Sequence, residues 1–121
     1  MKKILLVDDD ETHLAVAENL LKKQYEVITA KSGKEALELF LHKVVPDLIL
    51  LDIVMPNLDG WETFNRLKAI SLLQDVPIAF LTSLTESDEA KRAREIGAVD
   101  YIEKPYKSAD LLNRVEKILK K

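Results

Sequence analysis

Ile4-Leu5-Leu6-Val7-Asp8-Asp9-Asp10 is the stretch on which the reading of the whole chain turns. Four consecutive apolar residues stop abruptly at three acids. A short continuous apolar run reads as a strand covered on both faces, because a strand with one wet face alternates apolar and polar residues. Basic Lys2 and Lys3 before the run imitate the start of a secretory signal. The acids end it far too soon for such a signal's apolar core.

Similar runs recur along the chain at Tyr25–Thr29, Leu48–Leu51, Ile78–Leu81 and Val99–Ile102. Helix-spaced apolar residues lie between them. Leu14, Ala17, Leu20 and Leu21 share one face, Ala36, Leu37, Phe40 and Leu41 another, and Phe64, Leu67 and Ile70 a third. The stretch Glu86–Ile96 offers only Ala90, Ala93 and Ile96, a weak stripe. The last helix has the cleanest one: Leu111, Leu112, Val115, Ile118 and Leu119. Strands alternating with helices predict a three-layer α/β fold, a (βα)5 doubly wound parallel sheet. Right-handed crossovers leave few topologies, and the flavodoxin-like strand order 2-1-3-4-5 is the expected one. Residues 1–121 are expected to form a single domain.

Composition narrows the function. With no cysteine among 121 residues, disulfides, thiolate metal sites and cysteine nucleophiles are excluded. A net charge of −3 argues against direct nucleic-acid binding. No apolar run approaches the length of a membrane span. The expected location is the cytoplasm.

In a sheet of this kind ligands bind beyond the carboxyl ends of the strands. The predicted ends carry Asp8-Asp9-Asp10, Asp52, Thr82-Ser83 and Lys104-Pro105. Two carboxylates about 4 Å apart repel by on the order of 4 kcal/mol at an effective dielectric near 20. Such a cluster therefore draws a proton or a cation. Magnesium is suited to it, being a hard ion that joins carboxylates to phosphate oxygens. Asp8, Asp9 and Asp52 against Lys104 and one magnesium ion sum to zero charge. A carboxylate can also attack phosphorus to give an acyl phosphate. That transfer needs little beyond positioning and charge neutralisation.

With these residues in place, the chain resembles a response regulator receiver domain over its whole length. The likeness rests on Ile4–Asp10, on Leu51-Asp52-Ile53-Val54-Met55-Pro56 with Asp59-Gly60, on Leu81-Thr82-Ser83 and on Lys104-Pro105-Tyr106. The resemblance implies that Asp52 is the phosphorylated residue. It implies that Asp9, Asp52 and the Val54 backbone carbonyl bind magnesium directly and Asp8 through water. It assigns Lys104 and Thr82 to the phosphoryl oxygens, Tyr101 to a switch that follows Thr82, and a cis bond to Lys104-Pro105. The implied partners are a sensor histidine kinase or phosphotransfer protein and a downstream effector, with a phosphorylation-dependent homodimer left open. The switching face would be the fourth helix, fifth strand and fifth helix, and the domain would be no enzyme beyond its own phosphorylation and dephosphorylation. Val54 and Leu84 flank the phosphoryl position and are apolar, so slow self-dephosphorylation is expected.

Plainer readings compete at several positions. Asp10 suits a helix cap better than a metal site, and Ser83 and Tyr101 would serve as ordinary strand residues. His13 and His42 read as surface residues, Trp61 as packing, and Lys91-Arg92-Ala93-Arg94 as a solvated helix face. One rival is more substantial. Asp8-Asp9-Asp10-Glu11-Thr12 also fits the Asp-x-Asp-x-Thr pattern of haloacid-dehalogenase-like phosphatases, with Asp8 as nucleophile and Asp10 as acid–base. That reading leaves Asp52 without a role.

Overall fold

The computed structural model describes residues 1–55, 58–83 and 87–120. The elements run β1 (Lys3–Val7), α1 (Glu11–Leu21), β2 (Glu26–Ala30), α2 (Gly33–Leu39), β3 (Leu48–Leu51), α3 (Gly60–Lys68), β4 (Ile78–Thr82), α4 (Ser87–Glu95), β5 (Asp100–Glu103) and α5 (Ser108–Leu119). Short 3-10 turns follow α2 and α3. The five strands form one sheet in the order β2-β1-β3-β4-β5, and every pairing is parallel. This is the flavodoxin-like arrangement expected from the sequence.

Strand alternation divides the core into two layers. Ile4, Leu6, Leu48, Leu50, Ala79, Leu81 and Ile102 point to the side covered by α1 and α5, through Leu14, Ala17, Leu21, Leu111 and Val115. Leu5, Val7, Ile49, Leu51, Ile78, Phe80 and Tyr101 point to the other side, against Ala36, Trp61, Phe64, Leu67 and Ala93. The continuous apolar runs are thus covered on both faces, as their composition requires.

The helix ends follow their sequence signals. Asp10, Ser32 and Asp59 cap α1, α2 and α3 by accepting backbone N–H bonds. Beyond α4, Gly97 takes a φ of +103°. The Ala98 N–H reaches the Ala93 carbonyl at 3.0 Å, and the Gly97 N–H reaches that of Arg94 at 3.1 Å. This left-handed closure favours glycine, which has no Cβ to clash.

Several expectations need correction. β2 and β5 each begin one residue later than expected, because Tyr25 and Val99 lie in the preceding turns. Leu41 is 79 % exposed, because the chain tightens into a 3-10 turn at Phe40 and rotates it outward. Ile96 lies past the end of α4 and is also exposed, which leaves Ala90 and Ala93 as that helix's apolar contacts with the core. Pro56, Leu84 and Glu86 lie outside the described residues. Among the described residues, no helix is long and apolar enough to cross a membrane.

Candidate functional site

Backbone pairing at the strand ends brings the polar residues together. The Asp52 N–H donates to the Val7 carbonyl at 2.9 Å, and the Asp8 N–H to that of Ala30 at 3.1 Å. The Lys104 N–H donates to the Thr82 carbonyl at 2.8 Å. Asp8, Asp52, Thr82 and Lys104 each take part in a sheet bond, and sheet geometry sets their places.

Oxygens from Asp8, Asp9 and Asp52 lie within 4.8 Å of one another. Asp8 and Asp52 are buried, whereas Asp9 faces solvent. The Lys104 ammonium lies 2.5 Å from Asp8 Oδ2 and 3.6 Å from Asp52 Oδ2, with its side chain only 9 % exposed. The donor set is all oxygen, and three carboxylates against one lysine leave an excess of two negative charges. That set fits a hard divalent cation. Of the three carboxylates, Asp9 is the one open to bulk water.

The Asp52 carboxyl is pushed above the usual carboxylate range, chiefly by burial. The Lys104 ammonium opposes that rise and the Asp8 charge adds to it. The Thr82 hydroxyl and the Val54 N–H also favour the ionised form, the latter from 3.3 Å. Thr82 is fully buried and Ser83 exposed. Tyr101 is buried beside Phe80, with ring centroids 6.4 Å apart. The Val54 side chain is exposed. The Lys104-Pro105 peptide is cis, as the resemblance implied.

Asp10 donates its backbone N–H to Asp8 Oδ1 at 2.9 Å, but its carboxylate serves the helix start instead. Its carboxylate accepts the N–H groups of Thr12 and His13 at 2.9 and 3.1 Å, and the His13 bond leads in holding it below the usual range. An exposed helix cap held ionised is a poor general acid, so the phosphatase reading loses the residue it most needs.

Three features escaped the sequence. His13 is a surface residue by exposure, yet its Nδ1 lies 3.2 Å from the Lys104 ammonium. Its position one turn after Asp9 was the available signal. Gly60 packs on the Asp52 peptide: a Cβ there would meet the Asp52 carbonyl oxygen at 2.3 Å and the Ile53 Cα at 2.4 Å. The Asp59-Gly60 motif carries no signal of this contact in the sequence. Arg92, read as solvated, lies over the Trp61 ring at 4.2 Å.

Comparisons with known proteins identify the family. Residues 4–116 match the family described as the response regulator receiver domain. The chain is 40 % identical over 121 residues to the alkaline phosphatase synthesis transcriptional regulatory protein PhoP of Bacillus subtilis, covering 99 % of this chain and 49 % of that protein. It is 41 % identical over 121 residues to the transcriptional regulator ycf27 of Porphyra purpurea, covering 99 % and 48 %. The chain thus spans about half the length of these curated relatives. Among solved structures, the Vibrio cholerae chemotaxis protein CheY4 superposes with a TM-score of 0.91 at 31 % identity, over 98 % of this chain and 99 % of that one. Neither the site nor these relatives support the phosphatase alternative. The chain belongs to the response regulator receiver domain family.

Proposed function

We propose that Asp52 is the phosphoacceptor of a two-component switch, taking its phosphoryl group from a histidine kinase or phosphotransfer protein. One observation carries the reading: Asp52 lies buried at the end of β3 with two further carboxylates and the Lys104 ammonium around it. An Asp52 oxygen forms the new bond to phosphorus, the bond from phosphorus to the donor's histidine nitrogen breaks, and that nitrogen keeps the electron pair. Lys104 and Thr82 supply donors to the phosphoryl oxygens. Asp9, Asp52 and the Val54 carbonyl would hold magnesium directly and Asp8 through water. Bound there, the ion supplies charge neutralisation between acceptor and phosphoryl group.

Thr82 ends β4, and the chain beyond it leads to α4. Drawing the hydroxyl to a phosphoryl group biases an existing equilibrium of that segment, with Tyr101 following. The face of α4, β5 and α5 then meets a downstream effector. The domain acts as a cytoplasmic switch and turns over no substrate besides its own phosphoryl group. The apolar Val54, with Leu84, gives no group to orient an attacking water, so dephosphorylation is slow. A Val54→Asn, Leu84→Glu variant tests this by decay rate, and equal rates would refute it.

The main test is labelling by a small phosphodonor in the presence of magnesium. Asp52→Asn abolishes covalent label, whereas Asp8→Asn slows its appearance without moving the site. Label that survives Asp52→Asn overturns the assignment.

A further inference from the structure

We infer that His13 is a positioning residue that aims the Lys104 ammonium at Asp52. This rests on the reading of Asp52 as phosphoacceptor. A lysine ammonium carries three N–H donors and accepts nothing. Nδ1 of His13, 3.2 Å away, is therefore the acceptor in this contact. A second N–H is taken by Asp8 Oδ2 at 2.5 Å. The third is left facing Asp52 Oδ2, at 3.6 Å a little beyond hydrogen-bond reach. A phosphoryl group on Asp52 brings further oxygens to that donor and closes the gap.

The backbone that carries the imidazole is fixed. His13 lies in the first turn of α1, where its main-chain N–H is bound to the capping carboxylate of Asp10 at 3.1 Å, and the other oxygen of that carboxylate lies 3.7 Å from Nδ1. Lysine has a flexible four-carbon stem, and a single anchor at Asp8 leaves the ammonium free to turn. Two anchors from different elements, the end of β1 and the start of α1, fix it. The Lys104 side chain is only 9 % exposed, which leaves its ammonium few other partners than these two. Donors fixed before the reaction stabilise developing charge better than donors that must reorient.

The test compares His13→Leu with His13→Asn, whose side-chain oxygen stands near the place of Nδ1. Phosphorylation is followed with acetyl phosphate at saturating magnesium. His13→Leu should lower the maximal rate roughly three- to tenfold, with half-saturation for donor and magnesium unchanged. His13→Asn should recover most of the loss. Nitrogen-15 detection of the Lys104 ammonium gives a readout without any donor: its protons exchange faster with water in His13→Leu than in the wild type. Unchanged rates, equal losses in both variants, or faster uptake by His13→Leu overturn the inference. Failure of wild-type labelling, or label surviving Asp52→Asn, overturns the acceptor assignment instead.

Discussion

Helices α3 and α4 are each nine residues long and cover the same face of the sheet, yet they are anchored very differently. α3 buries Trp61, Phe64 and Leu67, and its Thr63 is wholly enclosed. Among its described residues, α4 buries Ala93, with Ala90 partly covered. Fully burying a large apolar side chain contributes about 1.5–3 kcal/mol, so α3 is held by several kcal/mol more than α4. The stiffer helix abuts the Asp52 peptide through Gly60, while the looser one follows the strand that ends in Thr82. Firm support lies behind Asp52, the proposed acceptor, and compliance lies downstream of Thr82, the proposed switch hydroxyl. Elements that move in signalling come from the low-stability end of a fold.

The largest effect should come from weakening the firm side. Phe64 is fully buried and stacks on Phe80 at 5.5 Å. Phe64→Ala should cost about 3–5 kcal/mol in denaturant unfolding. A loss under 1 kcal/mol would show that α3 is not the anchor described. Gly60→Ala forces a methyl group into backbone and should cost about 1–3 kcal/mol. It should also weaken magnesium binding, read by titration, because the Asp52–Val54 backbone has to shift.

A smaller effect concerns Asp52 itself. Its folded-state pKa is raised, so the stability it contributes is present below the ordinary carboxylate value and is lost as pH rises through the folded value. Without metal, Asp52→Asn should therefore melt a few degrees higher than the wild type at pH 7, with the gap closing toward pH 4. Magnesium at ten times its dissociation constant should stabilise the wild type by about 1.4 kcal/mol and Asp52→Asn much less. The smallest effect is Arg92→Ala. Loss of its stacking on Trp61 should cost about 0.5–1 kcal/mol. Hydrogen exchange should quicken in α4 and stay unchanged in α3.

The contrast between these helices was partly visible in the residues. A stripe of Ala90 and Ala93 against one with Phe64 and Leu67 already separates weak from strong anchoring. The sheet was legible because its strands are continuous apolar runs, and the acids were legible because they end those runs. Boundaries slipped where apolarity and strand pairing part company. Tyr25 is apolar enough to join a run but lies in the turn, while polar Glu26 pairs with Lys3 at the sheet edge. His13, Gly60 and Arg92 were illegible for another reason. His13 and Arg92 act on residues distant in the chain, Gly60 acts across a loop fold-back, and no periodicity records which atoms meet in either way.

The indole under Arg92 has a practical consequence. Trp61 is the sole tryptophan of the chain, and it lies between Phe80 and the guanidinium of α4, with the Phe80 ring centroid 4.9 Å away. Tryptophan emission from the unlabelled domain, excited beyond the tyrosine absorption band, comes from one known place, on the border between the firmly and the loosely anchored helix. A shift of α4 changes what lies over that fluorophore, so the domain carries its own optical gauge of that helix's position.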